Sequence, residues 1–128
     1  MRTVRVVNVT RGLALAERAE VADNVFTRGR GLLGRKHLPP GGGLVIRPGG
    51  QVHTLFMRFP IDVLHVRRDG TAGPMAHGLP PWRLGPFVWG GAFVVELPAG
   101  TLRETGTREG DVIVLEEVAE AAAPREAS

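Results

Sequence analysis

The sequence predicts an α+β domain that is mostly β, a compact antiparallel barrel-like or sandwich-like fold with one short helix near residues 23–34. Three observations predict it. Short runs rich in Val, Ile and Leu recur along the chain, each bounded by Gly, Pro, Asn or Asp. Only one segment carries helix-capping signals at both ends. The 128 residues, 43% of them hydrophobic, suit a single core. The expected organisation is one domain over 1–118 and a disordered tail over 119–128, where Ala, Glu and Pro dominate.

The elements follow in order. Thr3 to Asn8 and Leu13 to Arg18 are strand-like runs joined by Thr10-Arg11-Gly12, which predicts a first hairpin. Asp23 or Asn24 can cap a helix that runs to about Leu33 and stops at Gly34. Gly29 and Gly31 each cost about 1 kcal/mol in a helix interior, so packing of Val25, Phe26, Leu32 and Leu33 has to hold it. Pro39 to Gly43 is a loop, and Leu44-Val45-Ile46 is a buried strand ended by Arg47-Pro48-Gly49-Gly50.

Asp69-Gly70 is the clearest turn signal, and it predicts a two-residue type I′ hairpin between Ile61–Arg68 and Thr71–Gly78. That register sets Leu64 opposite Met75 and Asp62 opposite His77, within reach of an ion pair. Pro74 belongs on an edge or at a bulge, and a slip of one residue there moves partners to opposite faces. Leu79 to Pro86 is a loop carrying Trp82 and Arg83. Ala92–Leu97 and Val112–Leu115 complete the strands.

The net charge of +3 divides unevenly along the chain. Residues 1–95 carry 13 Lys and Arg against 5 Asp and Glu, and residues 96–128 carry 3 against 8. The basic cluster of Arg28, Arg30, Arg35 and Lys36 lacks the stacking aromatics of a nucleic-acid surface, so nucleic acid is not an expected partner. No stretch is long and apolar enough for a signal peptide or membrane span, and a cytoplasmic location is the default expectation.

Asp62 is the candidate that needs a reason. It lies within Phe59-Pro60-Ile61-Asp62-Val63-Leu64-His65-Val66, the most apolar run of the chain, where an unpaired carboxylate costs several kcal/mol. It is therefore hydrogen-bonded, paired or facing a ligand. His53, Thr54 and Arg58 are sequence neighbours that could serve.

Other chemistry is limited. With no Cys, no Tyr, one Lys and a terminal Ser, covalent catalysis falls to Thr54, Asp62, Glu96 or a histidine. No histidine pair has metal-ligand spacing, so a metal would need His53, His65 or His77 assembled across strands with Asp62, and neither metal nor cofactor is expected. Gly29-Arg30-Gly31-Leu32-Leu33-Gly34 spells GxGxxG, but His37-Leu38-Pro39-Pro40 follows it and no acid stands about 20 residues on. Glu96 reads as an edge-strand or loop-bracing carboxylate. Trp82 and Arg83 read as rim residues or as a lid over an anion.

The ordered pieces Gly31-Leu32-Leu33-Gly34-Arg35, Leu38, Gly43 to Ile46, His53-Thr54, Met57, Pro60-Ile61-Asp62-Val63, Asp69-Gly70, Glu96-Leu97, Gly100 and Gly110-Asp111 resemble the signature of domain-of-unknown-function family 192 (DUF192). The resemblance runs from about residue 12 to 115. It departs at Gly34, where members usually carry a larger apolar residue. It implies a small β-rich domain without an assigned activity, and it points to His53, Thr54, Met57, Asp62, Glu96 and Asp111.

Two functions remain open. One is a non-catalytic binding module with a small polar pocket around Asp62, formed with His53, Thr54, Met57, Arg83 and Glu96, for a small molecule or a protein partner. The other is a hydrolase- or lyase-like enzyme using Asp62 with a histidine as acid and base. A third role for Asp62 is a structural brace whose acceptors are filled by backbone N–H groups.

Overall fold

The computed structural model describes residues 2–22, 38–49, 58–85, 88 and 90–118. The helix expected near 23–34, the tail from 119, and His53, Thr54 and Met57 lie outside them. The described elements are β1 (Thr3–Asn8), β2 (Leu13–Ala22), β3 (Gly42–Ile46), β4 (Ile61–Val66), β5 (Ala72–Leu79), β6 (Phe93–Pro98), α1 (Thr101–Thr105) and β7 (Ile113–Glu117). The strands form one sheet in the order β5-β4-β6-β3-β2-β1-β7. All neighbours are antiparallel except β2 and β3.

The sheet curls into a half-barrel because its two edges meet at one end. Thr71, just before β5, bridges Val112, just before β7. The Ile113 N–H donates to the Gly70 carbonyl and the Ala72 N–H to the Asp111 carbonyl. The inside of the curl is filled from all seven strands and the helix, with Val6, Leu15, Val45, Leu64, Ala72, Val95, Leu102 and Ile113 among its residues. A second apolar cluster, Ala22, Leu38, Leu44, Ile61, Val63 and Val94, covers the outer face of β3, β4 and β6. Both faces of β4 are therefore buried at every position, which explains its nearly continuous apolar sequence.

The hairpin between β4 and β5 differs from the two-residue turn expected. The Gly70 N–H closes on the Arg67 carbonyl, the Arg67 N–H donates to Thr71, and Gly70 has φ 88°. This is a three-residue loop in which Arg68 and Asp69 are the central turn residues and Gly70 takes the left-handed position. Asp69 faces the next residues instead, accepting from the Thr71 N–H at 2.9 Å and hydroxyl at 2.6 Å.

Leu64 does pair with Met75, but the register shifts on either side of it. Gly73-Pro74 stands opposite His65, and His77-Gly78 stands opposite Asp62. Pro74 thus sits at a bulge in an edge strand, the setting its missing N–H requires. The second bulge separates Asp62 from the expected His77 partner.

α1 was not anticipated because five residues carry little periodic signal. Glycines bracket it, Gly100 at φ 96° and Gly106 at φ 69°. Its Leu102 inserts into the inner core. No described helix is long and apolar enough to cross a membrane.

Candidate functional site

Asp62 and Glu96 stand on neighbouring rungs of β4 and β6 but on opposite faces. Asp62 pairs with Leu97, and Val63 pairs with Glu96. Strand alternation sends Asp62, Leu64 and Leu97 to the inner side and Val63, His65, Val94 and Glu96 to the outer side. Both acids are buried, at 0% and 4% exposure.

The inner carboxylate is fully engaged. Its Oδ1 accepts the Gly78 N–H at 2.8 Å, and its Oδ2 accepts the N–H groups of Gly100 at 3.1 Å and Leu102 at 2.9 Å. The last two belong to the start of α1, whose N-cap has no side-chain cap of its own. Asp62 therefore caps the helix from across the sheet and ties β4, β5 and α1 together. Two of its three donors are left-handed glycines, Gly78 at φ 60° and Gly100 at φ 96°. Those backbone conformations aim N–H groups where most side-chain-bearing residues would be strained.

The outer face is different. Glu96 sits on a strand interior to the sheet, not at an edge, flanked by Leu44 of β3 and Val63 of β4. Burial pushes its carboxyl up to about 8, with no hydrogen bond or charge from the described residues offsetting it. His65 is 1% exposed, and neither Nδ1 nor Nε2 has a hydrogen-bond partner among the described residues. Burial lowers its pKa, so the neutral imidazole is favoured. His65 faces Val94, so it is the diagonal neighbour of Glu96, with Cα atoms on the order of 7–8 Å apart in such pairs.

The remaining described candidates do not join Asp62. His77 is exposed, and the Arg83 guanidinium, also exposed, donates to the Trp82 carbonyl at 3.3 Å. Asp111 is buried at a corner where its Oδ2 accepts from Asn8 at 3.0 Å, Arg11 at 3.0 Å and the Arg108 N–H at 3.0 Å. Burial pushes that carboxyl up, but the hydrogen bonds from Asn8, Arg108 and Arg11 outweigh it and hold the group at about 2. Among the described residues no three His, Asp or Glu side chains form a group that could hold a metal ion.

A separate cleft of about 340 Å³ lies between β2, the loop before β3 and α1. Glu17, Pro40, Pro98, Thr101 and Glu104 are in its walls, and none of the predicted site residues is.

The DUF192 family profile, described as an uncharacterised ACR, matches residues 6–115. The chain belongs to the DUF192 family. A protein of unknown function from Novosphingobium aromaticivorans shares the fold, with TM-score 0.75 and 22% identity over 88% of this chain and 83% of that one. So does a protein from Sinorhizobium meliloti described as a "putative transcription regulator", with TM-score 0.75 and 23% identity over 89% of this chain and 92% of that one. No curated protein matches significantly. Within the matched span, Asp62 clamps α1, and Glu96 is a buried outer-face carboxyl that no described residue satisfies.

Of the two, the sequence puts weight on Asp62, and Glu96 reads there as an edge-strand or loop-bracing carboxylate as well as a pocket candidate. The signal that could have raised Glu96 was its setting, Phe93-Val94-Val95-Glu96-Leu97, which is as apolar as the run around Asp62.

Proposed function

We propose that this DUF192 domain is a non-catalytic binding module whose polar anchor is Glu96, on the outer face of the sheet, with His65 beside it. Asp62 serves as the structural clamp that fixes β4 under this face. One observation carries the reading: Glu96 is a buried carboxyl without a compensating partner among the described residues. Native proteins satisfy buried polar groups, so a carboxyl and an imidazole that no described residue satisfies, on one apolar face, support a ligand that completes them.

A second reading, a hydrolase- or lyase-like enzyme, draws on the same carboxyl. A group held at about 8 is suited to proton transfer near neutral pH. Asp62 fits that role less well, because three N–H groups already occupy its oxygens.

A thermal-shift screen of wild type, Glu96→Gln and Asp62→Asn against metals, nucleotides, sugars, amines and organic acids tests the proposal. A ligand that binds only the native state raises the midpoint by mass action. The expected result is a compound that shifts wild type and Asp62→Asn but not Glu96→Gln. A compound that shifts Glu96→Gln as much as wild type would remove Glu96 from the site. Glu96-dependent turnover on a hydrolase or lyase panel would favour the enzyme.

A further inference from the structure

We propose that the loop after β5, residues 80–84, is a contact ridge for an anionic lipid surface. It is separate from the Glu96 face and does not depend on it.

The ridge stands where β4 begins and β5 ends. Ile61 pairs with Leu79, so residues 58–60 and 80–84 leave the sheet at the same end. Trp82 and Leu84 are 55% and 63% exposed, which sets two large apolar side chains in solvent two positions apart. Trp82 also has φ 64°, and among the described residues no other residue than glycine takes a positive φ. A bulky side chain in that region strains the backbone, and such strain gathers at sites of function. Burial of the ring does not repay it, since more than half of Trp82 stays in solvent. Pro80 and Pro81 fix the approach to it.

The charge around the ridge has one sign. Arg58 and Arg83 are exposed on the two segments, and His77 is exposed near the end of β5. Residues 58–61 and 77–85 contain no Asp or Glu, and the adjoining Asp62 is buried and turned inward onto backbone donors. Over residues 1–95 the 13 Lys and Arg outnumber the 5 Asp and Glu, so attraction at longer range has the same sign.

Hydrocarbon beside guanidinium groups suits a surface that offers hydrocarbon behind negative charge. In an anionic bilayer the Trp82 ring sits at the headgroup level, Leu84 reaches the acyl chains, and the arginines meet phosphates. Leu84 favours lipid over nucleic acid, because stacking on bases needs flat rings. A fluid bilayer also receives exposed side chains without a matched pocket. Insertion and charge are each weak, and peripheral binding takes both signals together.

The test uses the full chain and two kinds of vesicle, phosphatidylcholine alone and phosphatidylcholine mixed with phosphatidylglycerol, read by co-sedimentation. The expected result is binding to the mixed vesicles roughly tenfold or more tighter than to the neutral ones, with the difference removed by salt. Trp82→Gly combined with Leu84→Ser should weaken that binding roughly tenfold or more. The fold should survive, since glycine accepts φ 64° and Leu84 is exposed. A second readout keeps the ridge intact: Trp89→Phe leaves Trp82 as the sole Trp, and its emission should move to the blue and be quenched by brominated acyl chains. Wild type that stays in the supernatant with mixed vesicles overturns the proposal, and so does equal binding by the double variant or an unmoved Trp82 emission. An oligonucleotide bound by wild type and not by the double variant, with vesicles left unbound, assigns the ridge to nucleic acid and overturns the lipid partner.

Discussion

Asp62 and Glu96 lie one rung apart on adjacent strands, and their surroundings differ completely. Asp62 turns inward onto three backbone donors, whereas Glu96 turns outward among aliphatic residues and meets no donor among the described residues. Burial is the same for both and therefore does not distinguish structural from functional acids. Satisfaction does. A carboxylate with filled acceptors holds the fold together, and one without them weakens it.

The largest effect expected from breaking this contrast is at Asp62. Asp62→Ala leaves the N–H groups of Gly78, Gly100 and Leu102 without their acceptor. At about 1–3 kcal/mol per stranded donor, and less than additively, denaturant unfolding is expected to show a loss of about 3–5 kcal/mol. A loss below about 1 kcal/mol would mean that water or another group replaces the clamp.

Glu96 is expected to behave in the opposite sense. Its folded carboxyl titrates at about 8 against an ordinary 4.5, so the native state holds its proton more tightly than the unfolded chain. That contribution is fully present below pH 4.5 and is lost as pH rises toward 8. Between about pH 5 and 8, wild type should therefore lose roughly 2–4 kcal/mol relative to Glu96→Gln. The difference between the two proteins cancels other titrations, including His65, whose lowered pKa makes protonation destabilising as pH falls below 6.5. Parallel stability profiles for the two proteins would remove the contrast.

Asp111 sharpens the comparison as a second satisfied acid. Asp111→Ala should cost about 1–3 kcal/mol through the stranded Asn8, Arg11 and Arg108 donors. The sign of its pH dependence is the reverse of that of Glu96. A carboxyl held at about 2 stabilises above 3.8, and that contribution disappears as pH falls toward 2. Gly100→Ala is the smallest expected change, about 1 kcal/mol, from placing a side chain at φ 96°. Its companion readout is slower amide exchange at Leu102 in wild type than in the variant, since Gly100 and Leu102 share the Asp62 oxygen.

Much of the fold was legible, because apolar runs and turn residues mark strands locally. Asp69-Gly70 marked the right place for a hairpin but the wrong loop length. The spelling does not distinguish a two-residue turn from a longer loop ending in a left-handed glycine. Pro74 announced a bulge, yet the second bulge at His77-Gly78 had no comparable signal and dissolved the expected Asp62–His77 pair. That Asp62 needed partners could be read from its apolar surroundings. Their identity could not, since they are backbone groups 16, 38 and 40 residues away. Glu96 was harder still, because its significance depends on β6 lying between β4 and β3, a fact of strand order and not of local sequence.

The most direct test of the central claim is a ¹³C NMR titration of the Glu96 carboxyl in the intact, ligand-free protein. A midpoint near 8 is expected, with Glu96 protonated and neutral at pH 7. A midpoint near the ordinary 4.5 would show a solvated or partnered carboxylate, and would contradict both the contrast with Asp62 and the proposal that Glu96 anchors a ligand.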